Sequence, residues 1–283
     1  MRAYVPDYEL VTPRTLGEAL GLLARGGWRP FAGGTDLMVL FEAGQLAHKK
    51  FVNLWLLNEL RGIETTPAAV TLGALTTYTE VRAHATLQRE FPMLCQAAGV
   101  TGGLAIQNRG TLGGNVVNAS PAADSPPALL AYDAELELVS VRGARWVKYD
   151  SFHRGYKVMD LQPDELLRRI RLPRRAVAGR HYYRKVGTRA AQAISKVCLA
   201  GWADVEDGRI RDVRVAVASV APVVLRCHAT EQALRGHAPD AAVRQRAAAA
   251  LAQEISPIDD IRSAERYRRQ VALNLLDEFL SQI

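Results

Sequence analysis

Apolar and polar positions change period three times along this chain. Leu16, Ala19, Leu20 and Leu23 share one face at helical spacing. Thr15-Leu16-Gly17-Glu18 opens that segment as a capping box, and Gly26-Gly27 ends it. WRPFA (28–32) follows as a short strand broken by Gly33-Gly34. A second helix runs through LMVLFEAG, capped by Thr35 or Asp36 and ended by Gly44, and KKFVNL (49–54) makes another strand. So tight a strand–helix–strand alternation predicts a small α/β unit with a parallel pair.

The middle of the chain has a different rhythm. AVTLGAL (69–75) reads as a strand, Thr77–Glu80 as a second capping box for VRAHA, and 87–100 as one helix. GTLGGNVVNAS (110–120) reads as glycine-rich and irregular. ELELVSV (135–141) alternates cleanly and ELLRRIRL (165–172) more loosely. Strands with no crossover helices between them predict an antiparallel sheet. Pro173 and RRAVAGR (174–180) mark a boundary. Beyond it lie the strands HYYRKV (181–186), ISKVCLAGWADV (194–205) and IRDVRVAVASV (210–220), the last two joined by a turn at Glu206-Asp207-Gly208. Helices are expected near 229–235, 239–253 and 263–281. In the last, Tyr267, Val271, Leu275 and Phe279 form a stripe expected to be buried. The fold class is therefore α+β: a two-part domain over 1–175 (about 1–58 and 59–175), then a domain over 176–283 of three antiparallel strands under helices.

Composition narrows the class without naming a function. The 283 residues are 48% hydrophobic and 23% charged, which excludes disordered, collagen-like and coiled-coil chains. Three cysteines (Cys95, Cys198, Cys227) are too few and scattered for a disulfide framework, a zinc site or an iron–sulfur site. The start, MRAYVPDYELV, lacks a signal-peptide run. The longest apolar stretch, VAVASVAPVVL (215–225), is too short to span a membrane, so a cytoplasmic location is expected.

The net charge of +7 is local. Nine cations lie between Arg168 and Arg189 with no acid among them; without these nine the chain carries 27 basic against 29 acidic residues. Such a run either attracts an anionic ligand or partner, or guards a solvated strand edge. No nucleic-acid module accompanies it, so nucleic acid is not the expected partner. His48, His84, His153, His181, His228 and His237 show no metal-ligand spacing.

Two loops carry candidate chemistry. FAGGTDLMV (31–39) is a strand, two glycines, a hydroxyl and a helix start, where backbone N–H groups can meet an anion. Read alone it is equally an ordinary strand-to-helix turn. TLGGNVVNASPAAD (111–124) repeats the paired glycines with Thr111, Asn115, Asn118 and Ser120 around them. Asp124 can accept from a ribose hydroxyl or cap the helix SPPALLAY. Three charged hydrogen bonds supply roughly 4–9 kcal/mol before ordering costs, whereas micromolar binding needs about 8 kcal/mol net. A ligand on one loop needs a second contact region.

With AGGTDL and, about 80 residues on, TLGGN…ASPAAD, the chain resembles the FAD-binding (medium) subunits of molybdenum hydroxylases, such as those of xanthine dehydrogenase, carbon monoxide dehydrogenase and aldehyde oxidoreductases. LGALTT (72–77), DELLRRIRLP (164–173), YRKVGTRAAQAISKV (183–197) and SAERYRRQVA (263–272) support the resemblance. It implies that Ala32, Gly33, Gly34, Thr35, Asp36 and Leu37 surround an FAD pyrophosphate. It implies a second wall of Thr111, Gly114, Asn115, Ser120 and Asp124, with Leu167 by the isoalloxazine and Lys185 near the flavin. Thr101 falls where xanthine dehydrogenase has a stacking aromatic. FAD is expected to be non-covalent, with the molybdenum cofactor and 2Fe-2S clusters only in partner subunits. Those partners are an iron–sulfur small subunit and a molybdopterin large subunit, in a heterotrimer or a dimer of heterotrimers. The implied activity is that of a flavoprotein oxidoreductase subunit, passing electrons from the clusters through FAD to a final acceptor. Lys185 and its arginine neighbours are then expected to favour reduced flavin and to hold an acidic partner surface. The alternative is a self-sufficient FAD-dependent oxidase or reductase of related fold.

Overall fold

The computed structural model describes residues 7–177, 179–189 and 192–283. Residues 1–6 of the start, residue 178 of the boundary segment and residues 190 and 191 of the 183–197 segment lie outside it. The first unit comprises β1 (Glu9–Val11), α1 (Leu16–Ala24), β2 (Arg29–Phe31), α2 (Leu37–Glu42) and β3 (Lys50–Asn53). Its sheet is parallel throughout, in the order β1-β3-β2, with Leu10 opposite Phe51 and Pro30 opposite Val52. Ala19, Leu20 and Leu23 of α1 are buried as their spacing predicts. The first capping box is only half formed. Thr15 accepts from Glu18 N at 3.2 Å, but the Glu18 carboxylate turns to Arg14 N at 2.8 Å. Asp36 stands at the N-cap of α2 without capping it, because its carboxylate is engaged by Asn118 instead.

The second unit holds β4 (Ile63–Thr65), β5 (Ala69–Gly73), α3 (Tyr78–Ala83), α4 (Ala85–Glu90), α5 (Pro92–Val100), α6 (Leu104–Arg109), α7 (Leu112–Asn118), α8 (Ser125–Ala131), β6 (Glu135–Ser140), β7 (Gly143–Lys148), β8 (His153–Gly155), β9 (Val158–Met159) and β10 (Leu166–Pro173). Its main sheet is antiparallel, in the order β4-β5-β10-β6-β7. The Thr77–Glu80 box closes from both ends. Two expectations fail here. The helix expected over 87–100 is two helices, because Pro92 has no N–H to continue α4 and instead opens α5. The stretch expected to be irregular at 110–120 is α7. Thr111 caps it by accepting from Gly114 N at 3.1 Å, and Gly113 is there for space: a Cβ would lie 2.6 Å from that of Ala74.

The third unit contains β11 (Arg180–Val186), β12 (Val197–Glu206), β13 (Arg209–Ala218), β14 (Leu225–Arg226), α9 (His228–Leu234), α10 (Ala241–Glu254) and α11 (Glu265–Leu280). Three strands were expected; the two-residue β14 adds a fourth beside β13. Asp207 and Gly208 both take positive φ, as a two-residue hairpin turn requires. Eight consecutive residues of β12 are buried. Val197, Leu199 and Ala203 share a core with Leu251, Leu275 and Phe279 of the helices, whereas Cys198, Ala200 and Trp202 share one with Leu129 and Tyr132 of the second unit. This sheet is covered on both faces, which joins the units. The stripe expected on α11 is only partly buried: Leu275 and Phe279 are, but Tyr267 is 45% exposed. Arg268 is buried in that first turn, donating to Ser219 O at 2.9 Å and Asp260 Oδ1 at 2.7 Å.

On β10 the basic run is not a solvated edge, and along most of its length it is not an open anion-binding stretch, because other elements bring acids to it; β11 is an edge strand, with Arg180 and Arg184 exposed. β10 is a central strand, and β6 sets Glu137 opposite Arg169 and Glu135 opposite Arg171, with ion pairs of 2.6 and 2.7 Å. Arg174 pairs with Glu90, Arg175 with Asp133, Arg184 with Glu278 and Lys185 with Asp124.

Candidate functional site

The two glycine loops, far apart in sequence, meet in space. A Cβ on Gly33 would lie 1.8 Å from Arg109 O, so only glycine lets the first loop approach the start of the second this closely. Asn118 Nδ2 donates to Asp36 Oδ1 at 3.0 Å, closing the contact from the other end. Between them opens a cleft of about 380 Å³. Its wall contains ten of the thirteen expected residues: Ala32, Gly33, Gly34, Thr35, Asp36, Leu37, Thr111, Gly114, Asn115 and Leu167.

The loops are chemically unequal. Leu112, Gly113, Gly114 and Asn115 spend their N–H groups on Thr76 O, Ala74 O, Thr111 Oγ1 and Thr111 O. The N–H groups of Gly33, Gly34 and Thr35 donate to no protein acceptor among the described residues. The first loop therefore offers its glycine-pair N–H groups to an anion, whereas those of the second loop's glycine pair are committed to protein acceptors.

Ser120, Asp124 and Lys185 do not line the cleft. Ser120 Oγ accepts from Ala122 N at 3.3 Å within its own turn. Asp124 does not cap α8 either. It belongs to a buried layer behind the wall, reached through Ser125, whose hydroxyl donates to Asn115 Oδ1 at 2.5 Å. Lys185 Nζ donates to Asp124 Oδ2 at 2.6 Å and to Val100 O at 3.1 Å, and Tyr183 donates to Asp124 O at 3.0 Å. Asp124 Oδ1 is buried with no hydrogen-bond partner. Burial pushes the Asp124 carboxyl up to about 6, with Lys185 pulling the other way. Burial also raises the Tyr78 phenol, and the nearby Asp124 charge adds to that rise.

Several wall residues carried no sequence signal. Tyr78 follows the capping threonine and reads as an ordinary helix residue. Met159 at the end of β9, and Gln162 and Glu165 on the segment between β9 and β10, arrive from far beyond either glycine pair. Asn118 was visible only as one polar side chain of a glycine-rich stretch.

A cleft with free backbone donors on one side and a glycine-relieved helix on the other defines a site for an elongated, anionic cofactor. Comparison with known proteins says which. Residues 6–175 match the FAD binding domain in molybdopterin dehydrogenase, and residues 181–283 match the CO dehydrogenase flavoprotein C-terminal domain. The chain belongs to this family of FAD-binding oxidoreductase subunits. It is 30% identical to the xanthine dehydrogenase FAD-binding subunit of Escherichia coli O157:H7, over 95% of this chain and 93% of that protein. It is also 30% identical to the glyceraldehyde dehydrogenase medium chain of Sulfolobus acidocaldarius, over 95% of each. In three dimensions it is similar to a chain of carbon monoxide dehydrogenase from Hydrogenophaga pseudoflava, with a TM-score of 0.94 and 28% identity over 98% of this chain and 97% of that one.

No described helix is long and apolar enough to cross a membrane, and no described cluster of histidine, cysteine, aspartate and glutamate could hold a metal ion.

Proposed function

We propose that this chain is the electron-transfer flavin subunit of a molybdenum hydroxylase, working between an iron–sulfur small subunit and a final electron acceptor. The observation that carries the reading is the meeting of the two glycine loops across one cleft, where the N–H groups of Gly33, Gly34 and Thr35 have no acceptor among the described residues. Gly33, Gly34 and Thr35 would donate to the diphosphate, with Ala32 and Leu37 flanking it. Thr111, Gly114 and Asn115 would form the facing wall, and Leu167 an apolar contact for the ring system. Asp124, with an unpartnered oxygen buried behind that wall, would act on the cofactor only through the wall residues it supports. Lys185 offsets the Asp124 charge and fixes its carboxylate. FAD bound there, non-covalently, would supply the redox chemistry, accepting electrons from the partner's 2Fe-2S clusters and releasing them to an acceptor. Substrate oxidation is assigned to a molybdopterin large subunit, in a heterotrimer or a dimer of heterotrimers. The domain division at 175/176 falls between the end of β10 at Pro173 and the start of β11 at Arg180. Three unpaired cysteines accord with a reducing cytoplasm.

Expression with the neighbouring reading frames tests this. A yellow complex is expected, containing iron, molybdenum and acid-releasable FAD. A colourless chain that takes up no added FAD would overturn the reading.

A further inference from the structure

A two-stranded strap, β8 and β9, ends in Met159 on the cleft wall and is anchored to α7. His153 Nε2 is 2.9 Å from Val116 O, and Lys157 Nζ donates to Asn118 O and, at 2.8 Å, to Asn118 Oδ1. The same Asn118 side chain donates to Asp36 Oδ1 at 3.0 Å. One relay therefore ties the strap to both glycine loops. Lys157 holds a φ of +58°, where a glycine would be cheaper, so the turn carries backbone strain to place this side chain.

The relay bears on an electrostatic conflict. Asp36 puts a carboxylate into the loop whose free N–H groups are aimed at an anion. Like charges repel, and because Asp36 and Lys157 are both exposed the effect is open to screening by salt. Asn118 takes up one carboxylate oxygen, and Lys157 supplies the opposite charge one residue away.

We propose that Lys157 is a cofactor-retaining residue: through Asn118 it latches the strap to both loops and offsets Asp36, so that the cleft accepts a dianionic diphosphate. This rests on the FAD reading of the cleft and adds to it a residue outside both glycine loops.

The test is FAD titration of the full chain, freed of flavin and followed by fluorescence quenching at low and moderate salt. Lys157→Ala should raise the FAD dissociation constant about tenfold, as loss of one charge-assisted contact does, and weaken its salt dependence. Lys157→Arg should stay close to the parent. Adding Asp36→Asn to Lys157→Ala should recover most of the loss, which a merely structural role for Lys157 would not allow. If Lys157→Ala does not fold, Lys157→Met keeps the side-chain stem and tests the same charge. A parent that binds FAD while the Lys157 variants bind it equally well overturns the latch alone, as does a double variant that recovers nothing. A parent that binds no FAD overturns the cleft reading and the latch together.

Discussion

The cleft and the C-terminal sheet are built from similar elements and solve opposite problems. β12 is buried along eight residues, with one face on α10 and α11 and the other on the second unit. It pairs with β11 on one side and β13 on the other. At the cleft the first loop keeps three N–H groups without an acceptor among the described residues, glycine replaces side chains where backbones meet, and behind the wall Asp124 keeps an oxygen unpaired. Satisfied backbone and interlocked side chains make a brace; open donors and missing side chains make a site. The contrast teaches that binding capacity here is made by withholding what stability would otherwise use.

The contrast can be broken from either side. The largest stability effect is expected at Phe279, fully buried against the sheet. Phe279→Ala should cost about 3–5 kcal/mol in denaturant unfolding, while the molecules that remain folded keep their FAD. Loss of FAD in proportion beyond unfolding would mean that the brace is part of the site. Gly33→Ala should do the reverse. The 1.8 Å clash with Arg109 O forces the loops apart. FAD uptake should fall below detection in a titration, for a stability loss of about 1–3 kcal/mol. Normal uptake would show that the loops need not meet.

Asp124 gives a pH signature to the layer behind the cleft. Its carboxyl titrates at about 6 in the fold against 3.8 when free, so the folded chain holds that proton more tightly than the unfolded one. Its contribution to stability is full below about pH 4 and is lost as pH rises through 6. In paired unfolding curves the parent should lose ground to Asp124→Asn across that window. A constant difference would sink the assignment. The smallest effect is expected at Thr111→Ala, which removes the α7 cap and should cost about 1 kcal/mol with a modest loss of FAD affinity. An effect as large as that of Gly33→Ala would make the second loop an equal donor to the first.

Local signals were readable where local physics decides. The Thr77–Glu80 box, the Asp207-Gly208 turn, the parallel first sheet and the antiparallel second one all follow from neighbours in sequence. The glycine pairs lie along the cleft, and at Gly33 close backbone approach leaves no room for a side chain. Two local readings failed for local reasons, Pro92 restarting a helix and Thr111 capping one through glycines. The remaining failures came from competing partners, near in sequence for Glu18 and distant for Asp36 and Asp124. Glu18 turned to Arg14, Asp36 to Asn118 and Asp124 to Lys185, each choosing a partner over the cap that its position offered.

The sequence by itself determined the periodicities, the turns and the glycines, and with them the α+β class and the two segments able to meet around a cofactor. Only the tertiary structure decided where charge resides. A run of nine cations reads as an anion trap along the chain. In the fold, Glu90, Asp124, Asp133, Glu135, Glu137 and Glu278 come from other strands and helices to pair with seven of them. The reason is physical: hydrogen-bonding period and steric need are properties of consecutive residues, whereas Coulomb attraction acts on whatever the fold brings within a few ångströms.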